Sequence, residues 1–171
     1  MTQPEILIVG AGGMGALFGS ILHENGLEVV LYDTNTEHIR AIQQVGLKIE
    51  GYGGDRTIPI AATSNLSELE SAEIIIFQCK SHGTRQAAKA VKPLITQESV
   101  CISFQNGLGN EEVMAEELGN DFVMGGLTAM AGVLLEPGKI RDFSRVPSHI
   151  GEMRGGISER AQTIADRLSQ A

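Results

Sequence analysis

Three glycines in "ILIVGAGGMGALFG", Gly10, Gly12 and Gly15, have the spacing of a loop that cradles a diphosphate on backbone N–H groups. Their chemistry would be binding, not bond-making. Gly10 permits a tight turn, Gly12 lets the main chain approach a pyrophosphate, and Gly15 lets helix and strand pack closely. The first-turn N–H groups and the positive end of the following helix would hold the negative charge, with Ala11, Gly13 and Met14 sharing the loop. In a chain with 21 glycines the pattern alone is weak. Its weight comes from sitting between an apolar run and a helical one. Asp33 closes "LEVVLYD" about 20 residues further on, where such folds place an acid on the adenosine ribose hydroxyls. A carboxylate there also repels a 2′-phosphate, by about 4 kcal/mol at 4 Å and an effective dielectric of 20, which leans toward NAD over NADP. Lys80 closes "IIIFQCK" and Asn106 sits in "SFQNGLGNEE". Each has an ordinary reading beside the cofactor-lining one: a strand-end acid before a helix cap, a solvated lysine, and an Asn-Gly turn.

Positioning these residues requires strands that end together. "EILIVG" reads as a strand buried on both faces. "MGALFGSILHENG" reads as a helix with Leu17, Ile21 and Leu22 on one side and Gly26 as its stop. "LEVVLYD" is a second strand, and "NTEHIRAIQQVG" a second helix with Thr34 and Glu37 at capping-box spacing. "LKIEGYGGDRTIPIAA" reads as an antiparallel hairpin attached to the sheet, and "SNLSELE" as a helical turn. "AEIIIFQCK" and "SVCISFQNG" are apolar strands, each followed by a helix, the first ending near Pro93. "DFVMGGLTAMAG" is a strand running into a loop, "KIRDFSRVPSHIGEM" a final hairpin, and "ISERAQTIADRLSQA" a closing amphipathic helix. The alternation implies an α/β fold: a Rossmann-like, doubly wound, mainly parallel sheet with helices on both faces. Its ligand edge would carry "GAGGMG", "YD", "QCK" and "FQNG".

At 171 residues there is room for one ordinary domain over positions 1–171, and a hydrophobic share of 42% suits a globular core. A formal charge of −8 argues against nucleic acid or an anionic membrane as partner. Cys79 and Cys101 lie in apolar runs with no Cys/His cluster, so free buried thiols are expected and a metal site is not. No signal peptide or membrane span is legible, which points to a cytoplasmic protein. His23, His38, His82 and His149 show no triad order and are expected at caps or in solvent. Glu111, Glu112, Glu116 and Glu117 read as a solvated helix face.

The chain resembles the ketopantoate reductase family, the 2-dehydropantoate 2-reductases. "ILIVGAGGMG", the strand-end lysine of "FQCK", "FQNGLGNEE", "MGGLTAMAGVLLEPGKI" and "HIGE" match in order over nearly the whole chain. The phrase "QNGLGNEE" with its preceding lysine is far more specific than the glycines. The resemblance implies the pyrophosphate of NADPH on Gly10 to Gly15 and Lys80 at the adenosine-side phosphate or ribose. It places Asn106 near nicotinamide and substrate, with Ala131 lining the cofactor. It also implies hydride transfer to the ketone of a 2-oxo acid in pantothenate biosynthesis.

Two departures stand out. An arginine usual after the second strand is replaced by Thr34 beside Asp33, with Arg40 and Arg56 as candidate substitutes, so NAD is the leaning. Some relatives are NAD-dependent D-2-hydroxyacid dehydrogenases, which leaves the 2-oxo acid open. Second, the family continues into a helical domain that supplies the acid lysine and most substrate contacts, whereas this chain ends at "RLSQA". The expectation is therefore a nucleotide-binding half, inactive by itself and taking a 2-oxo acid only with a second domain. Homodimerisation stays open. Rival readings are a non-catalytic NAD(H)-sensing module and, ranked lower because Val9 stands where an acid is usual, an S-adenosylmethionine methyltransferase.

Overall fold

The structure, a computed structural model, describes residues 2–170. Met1, and Ala171 at the end of the expected closing helix, lie outside the described residues. In chain order the elements are β1 (Ile6–Val9), α1 (Gly13–Glu24), β2 (Val29–Tyr32), α2 (Thr36–Val45), β3 (Leu47–Gly51), β4 (Arg56–Ile58) and β5 (Ala61–Thr63). There follow β6 (Ile74–Phe77), α3 (Thr84–Val91), β7 (Val100–Ser103), α4 (Asn110–Leu118), β8 (Val123–Leu127), β9 (Ala131–Glu136), β10 (Lys139–Ser144), β11 (His149–Glu152) and α5 (Glu159–Ser169).

Seven strands form the main sheet in the order β11-β8-β7-β6-β1-β2-β5, all parallel except β11. The expected doubly wound sheet is present. Its centre is built from runs in which every residue is buried: "ILIV", "IIIF" and "VCIS". Side chains alternate between faces, so these runs must be covered on both sides. Ile6, Ile8, Ile74, Ile76 and Ile102 join one core with α1, α2 and α5 residues such as Leu17, Ile39 and Ile164. Leu7, Val9, Ile75, Phe77 and Cys101 join the other with Ala88 and Val91 of α3 and Met114 and Leu118 of α4. Each such side chain contributes on the order of 1.5–3 kcal/mol by leaving water. Between α1 and α5 the coverage is incomplete: a cavity of about 640 Å³ is lined by Phe18, Phe104, Met130, Ile150 and Leu168.

Two expected hairpins are corrected. β3 and β4 do pair antiparallel, yet they belong to a second sheet, β4-β3-β10-β9, and only β5 joins the main one. Leu47, Ile49, Ile58 and Ile140 supply the reason: they pack into the α1–α2 core and hold this small sheet on that face. The segment "KIRDFSRVPSHIGEM" is not a hairpin either. β10 lies parallel to β3 and antiparallel to β9, whereas β11 completes the edge of β8. Pro147, without an N–H, sits where the chain crosses between sheets. The loop expected after β8 contains β9. On the acidic face of α4, Glu112 and Glu116 are exposed as expected, whereas Glu117 is largely covered; Arg85 of α3 pairs with Glu116 at 2.6 Å and Glu117 at 2.5 Å.

α5 is fastened by Glu152, which accepts from Arg160 Nη2 at 2.6 Å and from the Ser158 hydroxyl. The Arg160 guanidinium, and after it the Ser158 hydroxyl, hold the Glu152 carboxyl down at about 2 against the opposing effect of burial. A depressed acid stabilises the fold above its ordinary value of 4.5, and that stability is lost as pH falls toward 2. The melting-temperature gap between wild type and Glu152→Gln should therefore be constant near neutrality and close between pH 4.5 and 2. A gap independent of pH would contradict it. Among the described residues no helix is long and apolar enough to cross a membrane.

Candidate functional site

The parallel registers bring the ends of β1, β2, β6 and β7 to one edge, so the four expected loops do share a rim. Gly10 leaves β1 at φ +100°, and a Cβ there would lie 2.5 Å from the Cys79 nitrogen. Both facts require glycine. A Cβ on Gly15 would lie 1.9 Å from the Gly10 carbonyl oxygen, so helix and loop meet backbone to backbone. Gly12 differs: a Cβ there would meet nothing within 4 Å. Gly13 is close-packed for another reason, since its Cβ would lie 2.5 Å from the backbone of Val133 and Leu134 in β9. The Met14 sulfur accepts the Gly132 N–H at 3.1 Å, which draws that side chain onto β9 too. Ala11 is fully buried. The second sheet thus walls one flank of the loop.

α1 starts with no side-chain cap and no acidic residue in its first turn. Its leading N–H groups have no intrahelical partner, and the helix dipole leaves partial positive charge there. With open space over Gly12, the loop fits the diphosphate of a dinucleotide.

Asp33 follows β2 and is half-buried, with Oδ1 accepting the Asn35 N–H at 2.9 Å. Asn35 in turn caps α2 by accepting the His38 N–H at 3.2 Å, so the expected Thr34–Glu37 capping box is not the cap. Asn35 wins because Asp33 fixes its backbone one residue closer to the helix. Arg56 is held by Glu24 through two contacts, at 2.6 and 2.9 Å, which removes it as a substitute cation near Asp33. Arg40 lies exposed on α2.

Lys80 and Asn106 are both exposed, at the ends of β6 and β7. A hydrogen-bond network that runs from the surface into the core holds their loops together. Ser81 Oγ donates to the Asn106 carbonyl at 2.8 Å, and Asn110 Nδ2 donates to the same oxygen at 3.1 Å. Gln105 Nε2 donates to the Cys79 carbonyl and to Thr84 Oγ1, each at 2.8 Å, and Thr84 Oγ1 donates to Asn110 Oδ1 at 3.0 Å. Thr84, Gln105 and Asn110 are all buried, so the bonds that join these three are made away from competing water. Hence the phrase "QNGLGN" reads as one hydrogen-bonded loop, with Gly109 in the left-handed region at φ +89°. Ala131 opens β9, next to Gly132, whose Cβ would lie 2.7 Å from the Gly13 carbonyl oxygen. It therefore flanks the glycine loop.

Cys79 is half-buried beside Gly10, and burial pushes its thiol up to about 11, with the Asp33 charge adding to the rise. Burial pushes Cys101 up to about 12. Neither is a thiolate at neutral pH. His38 corrects the expectation for the histidines: it is 1% exposed, with Nε2 2.8 Å from the Ala11 carbonyl oxygen and Nδ1 2.9 Å from the Gly138 nitrogen. Sequence reasoning missed it. The available signal was "HIRAI", in which His38 shares the inward stripe of Ile39 and Ile42.

A doubly wound sheet with a glycine loop opening its first helix, and an acid closing its second strand, defines the Rossmann class of nucleotide-fold domain. The family model described as ketopantoate reductase PanE/ApbA matches residues 6–155, and the chain belongs to that family. It is 30% identical over 169 residues to the 2-dehydropantoate 2-reductase of Lactococcus lactis, covering 98% of this chain and 54% of that protein. With the Pyrococcus horikoshii 2-dehydropantoate 2-reductase the identity is 33% over 167 residues, with the same two shares. Among solved structures, the 2-dehydropantoate 2-reductase of Geobacter metallireducens superposes with a TM-score of 0.88 at 26% identity, over 99% of this chain and 55% of that one. A ternary structure of D-mandelate dehydrogenase with NADH and anilino(oxo)acetate gives 0.87 at 26% identity, over 99% and 54%. The chain spans about half the length of the curated relatives it matches.

Proposed function

We propose that residues 1–171 are the dinucleotide-binding unit of an NAD(P)-dependent reductase that converts a 2-oxo acid to a 2-hydroxy acid, with NAD the preferred cofactor. The observation that carries the reading is the uncapped, acid-free start of α1 under the open face of Gly12. Backbone N–H groups of Gly12, Gly13 and Met14 hold the diphosphate there, while Gly10 and Gly15 shape the turn. Asp33 binds the ribose through the carboxylate oxygen that Asn35 does not use. Lys80 supplies a cation to the adenosine-side phosphate or ribose, and Ala131 lines the cofactor along β9. When bound, the nicotinamide supplies the hydride. Asn106, whose main chain is clamped by Ser81 and Asn110, presents its amide to the nicotinamide and the keto acid.

The relatives named 2-dehydropantoate 2-reductase support 2-dehydropantoate, and so a place in pantothenate biosynthesis. A second reading, a D-2-hydroxyacid dehydrogenase, is favoured by Asp33 and Thr34 together with the likeness to D-mandelate dehydrogenase bound to NADH. In either case turnover belongs to a protein that also holds a substrate domain, and the chain works in the cytoplasm.

Thermal-shift and fluorescence titrations with NADH, NADPH and S-adenosylmethionine test this. Stabilisation by NADH of about 2.7 kcal/mol at a hundred times Kd is expected. A chain stabilised only by S-adenosylmethionine, or by none of the three, would refute the proposal.

A further inference from the structure

We propose that His38 is a positioning residue for the glycine loop, aiming the Gly12 N–H at the ligand; this rests on the dinucleotide reading of that loop. The imidazole bridges two backbone groups that belong to different parts of the fold. On one side is the carbonyl of Ala11, inside the loop, and on the other the N–H of Gly138, in the turn between β9 and β10. A carbonyl only accepts and an amide only donates, so Nε2 carries the hydrogen and Nδ1 is bare. The two bonds together select one neutral tautomer, in a side chain 1% exposed.

The Ala11–Gly12 peptide converts that bond into an orientation. A trans peptide is planar, and its C=O and N–H point in opposite directions. Fixing the Ala11 carbonyl on His38, beneath the loop, turns the Gly12 N–H away from the core. Gly12 is the residue whose outer face is open. Without the bond, the buried Ala11 carbonyl would need another donor, and rotating the peptide to find one would swing the Gly12 N–H off the diphosphate.

His38 is itself held from outside the Rossmann sheet. Gly138 sits in the left-handed region at φ +78°, where a Cβ would lie 2.8 Å from the Ala41 Cβ on α2. The Gly138 carbonyl accepts the Lys48 N–H of β3 at 2.9 Å. The small sheet therefore reaches the loop twice, by direct packing of β9 on Gly13 and by hydrogen bonds through His38.

Two substitutions separate the two bonds. Asn places an acceptor near the Nδ1 position, and Gln places a donor near the Nε2 position. H38N keeps the bond to Gly138 and loses the one to Ala11, whereas H38Q does the reverse. If His38 positions the loop, NADH affinity falls about tenfold in H38N and stays within about threefold of wild type in H38Q, with both melting lower by similar amounts. A merely structural histidine gives the two variants equal NADH affinity, or affinity that follows melting temperature, and either result overturns the proposal. The 15N spectrum of wild-type His38 requires no variant to fold; the Nε2–H tautomer is expected, and the Nδ1–H tautomer overturns the proposal. Failure of the wild type to bind NADH overturns the dinucleotide reading and this inference with it, whereas wild-type binding with an unaffected H38N overturns this inference alone.

Discussion

Gly12→Ala should melt close to the wild type and yet bind NADH some tenfold to a hundredfold more weakly, whereas Gly15→Ala should be damaged in the fold itself. The two glycines belong to one motif, but their surroundings differ. Gly12 has φ −62° and ψ −169°, a conformation open to alanine, and the added methyl meets no protein atom within 4 Å. Its stability should change by no more than about 1 kcal/mol, since the cap preference for Gly and the gain from a stiffer unfolded chain oppose each other. The methyl instead occupies the space a diphosphate needs. At Gly15 the methyl would fall 1.9 Å from the Gly10 carbonyl oxygen, and backbone cannot swing aside as a side chain can. Overpacking of this kind costs about 3 kcal/mol, at the upper end of its usual range, which lowers the melting temperature of a chain this size by roughly 6–12 °C. Melting curves and NADH isotherms on both variants decide the matter. Wild-type NADH affinity in Gly12→Ala would remove the diphosphate from the loop, and unchanged stability in Gly15→Ala would contradict the close packing.

The second large effect concerns the 2′-phosphate. Wild type should favour NADH over NADPH by tens to hundreds of fold, and Asp33→Asn should erase most of that preference. The repulsion estimated above, about 4 kcal/mol, is an upper figure for a half-buried carboxylate, because water and salt screen part of it. Asparagine is the informative replacement. Its Oδ1 still accepts the Asn35 N–H, so the turn leading to the α2 cap is kept while the charge goes. Adding Thr34→Arg, which sets a guanidinium beside the ribose site, should carry the double variant over to NADPH. Equal affinity of the wild type for the two dinucleotides would defeat the Asp33 assignment, leaving Arg40 as the cation to examine next.

Much of the rim was readable because it depends on local rules. Unbroken apolar runs such as "IIIF" can only be strands covered on both faces, and a strand that ends in glycine before a helical pattern ends where ligands bind. Lys80, Asn106 and Asp33 fall at such ends and needed no tertiary information to be placed on one edge. The helix cap was harder. Thr34 and Glu37 satisfy the capping-box spacing, yet Asn35 caps α2, because the Asp33 side chain fixes its backbone first. The hairpins misled for a related reason. Alternation reveals that Leu47, Ile49 and Ile140 face inward, but not which core they face.

What the amino-acid sequence determined by itself is the winding of the main sheet, the glycine turn and the polar residues at the strand ends, since periodicity, glycine geometry and strand length act over a few neighbouring residues. Only the tertiary structure decided that β9 and β10 join β3 in a second sheet, that Gly13 is small for β9, and that His38 links Ala11 to Gly138, which lies 100 positions beyond His38 in the chain. Those contacts form between segments far apart in the chain, and a histidine's spacing does not reveal which distant carbonyl and amide will lack a partner once the core closes.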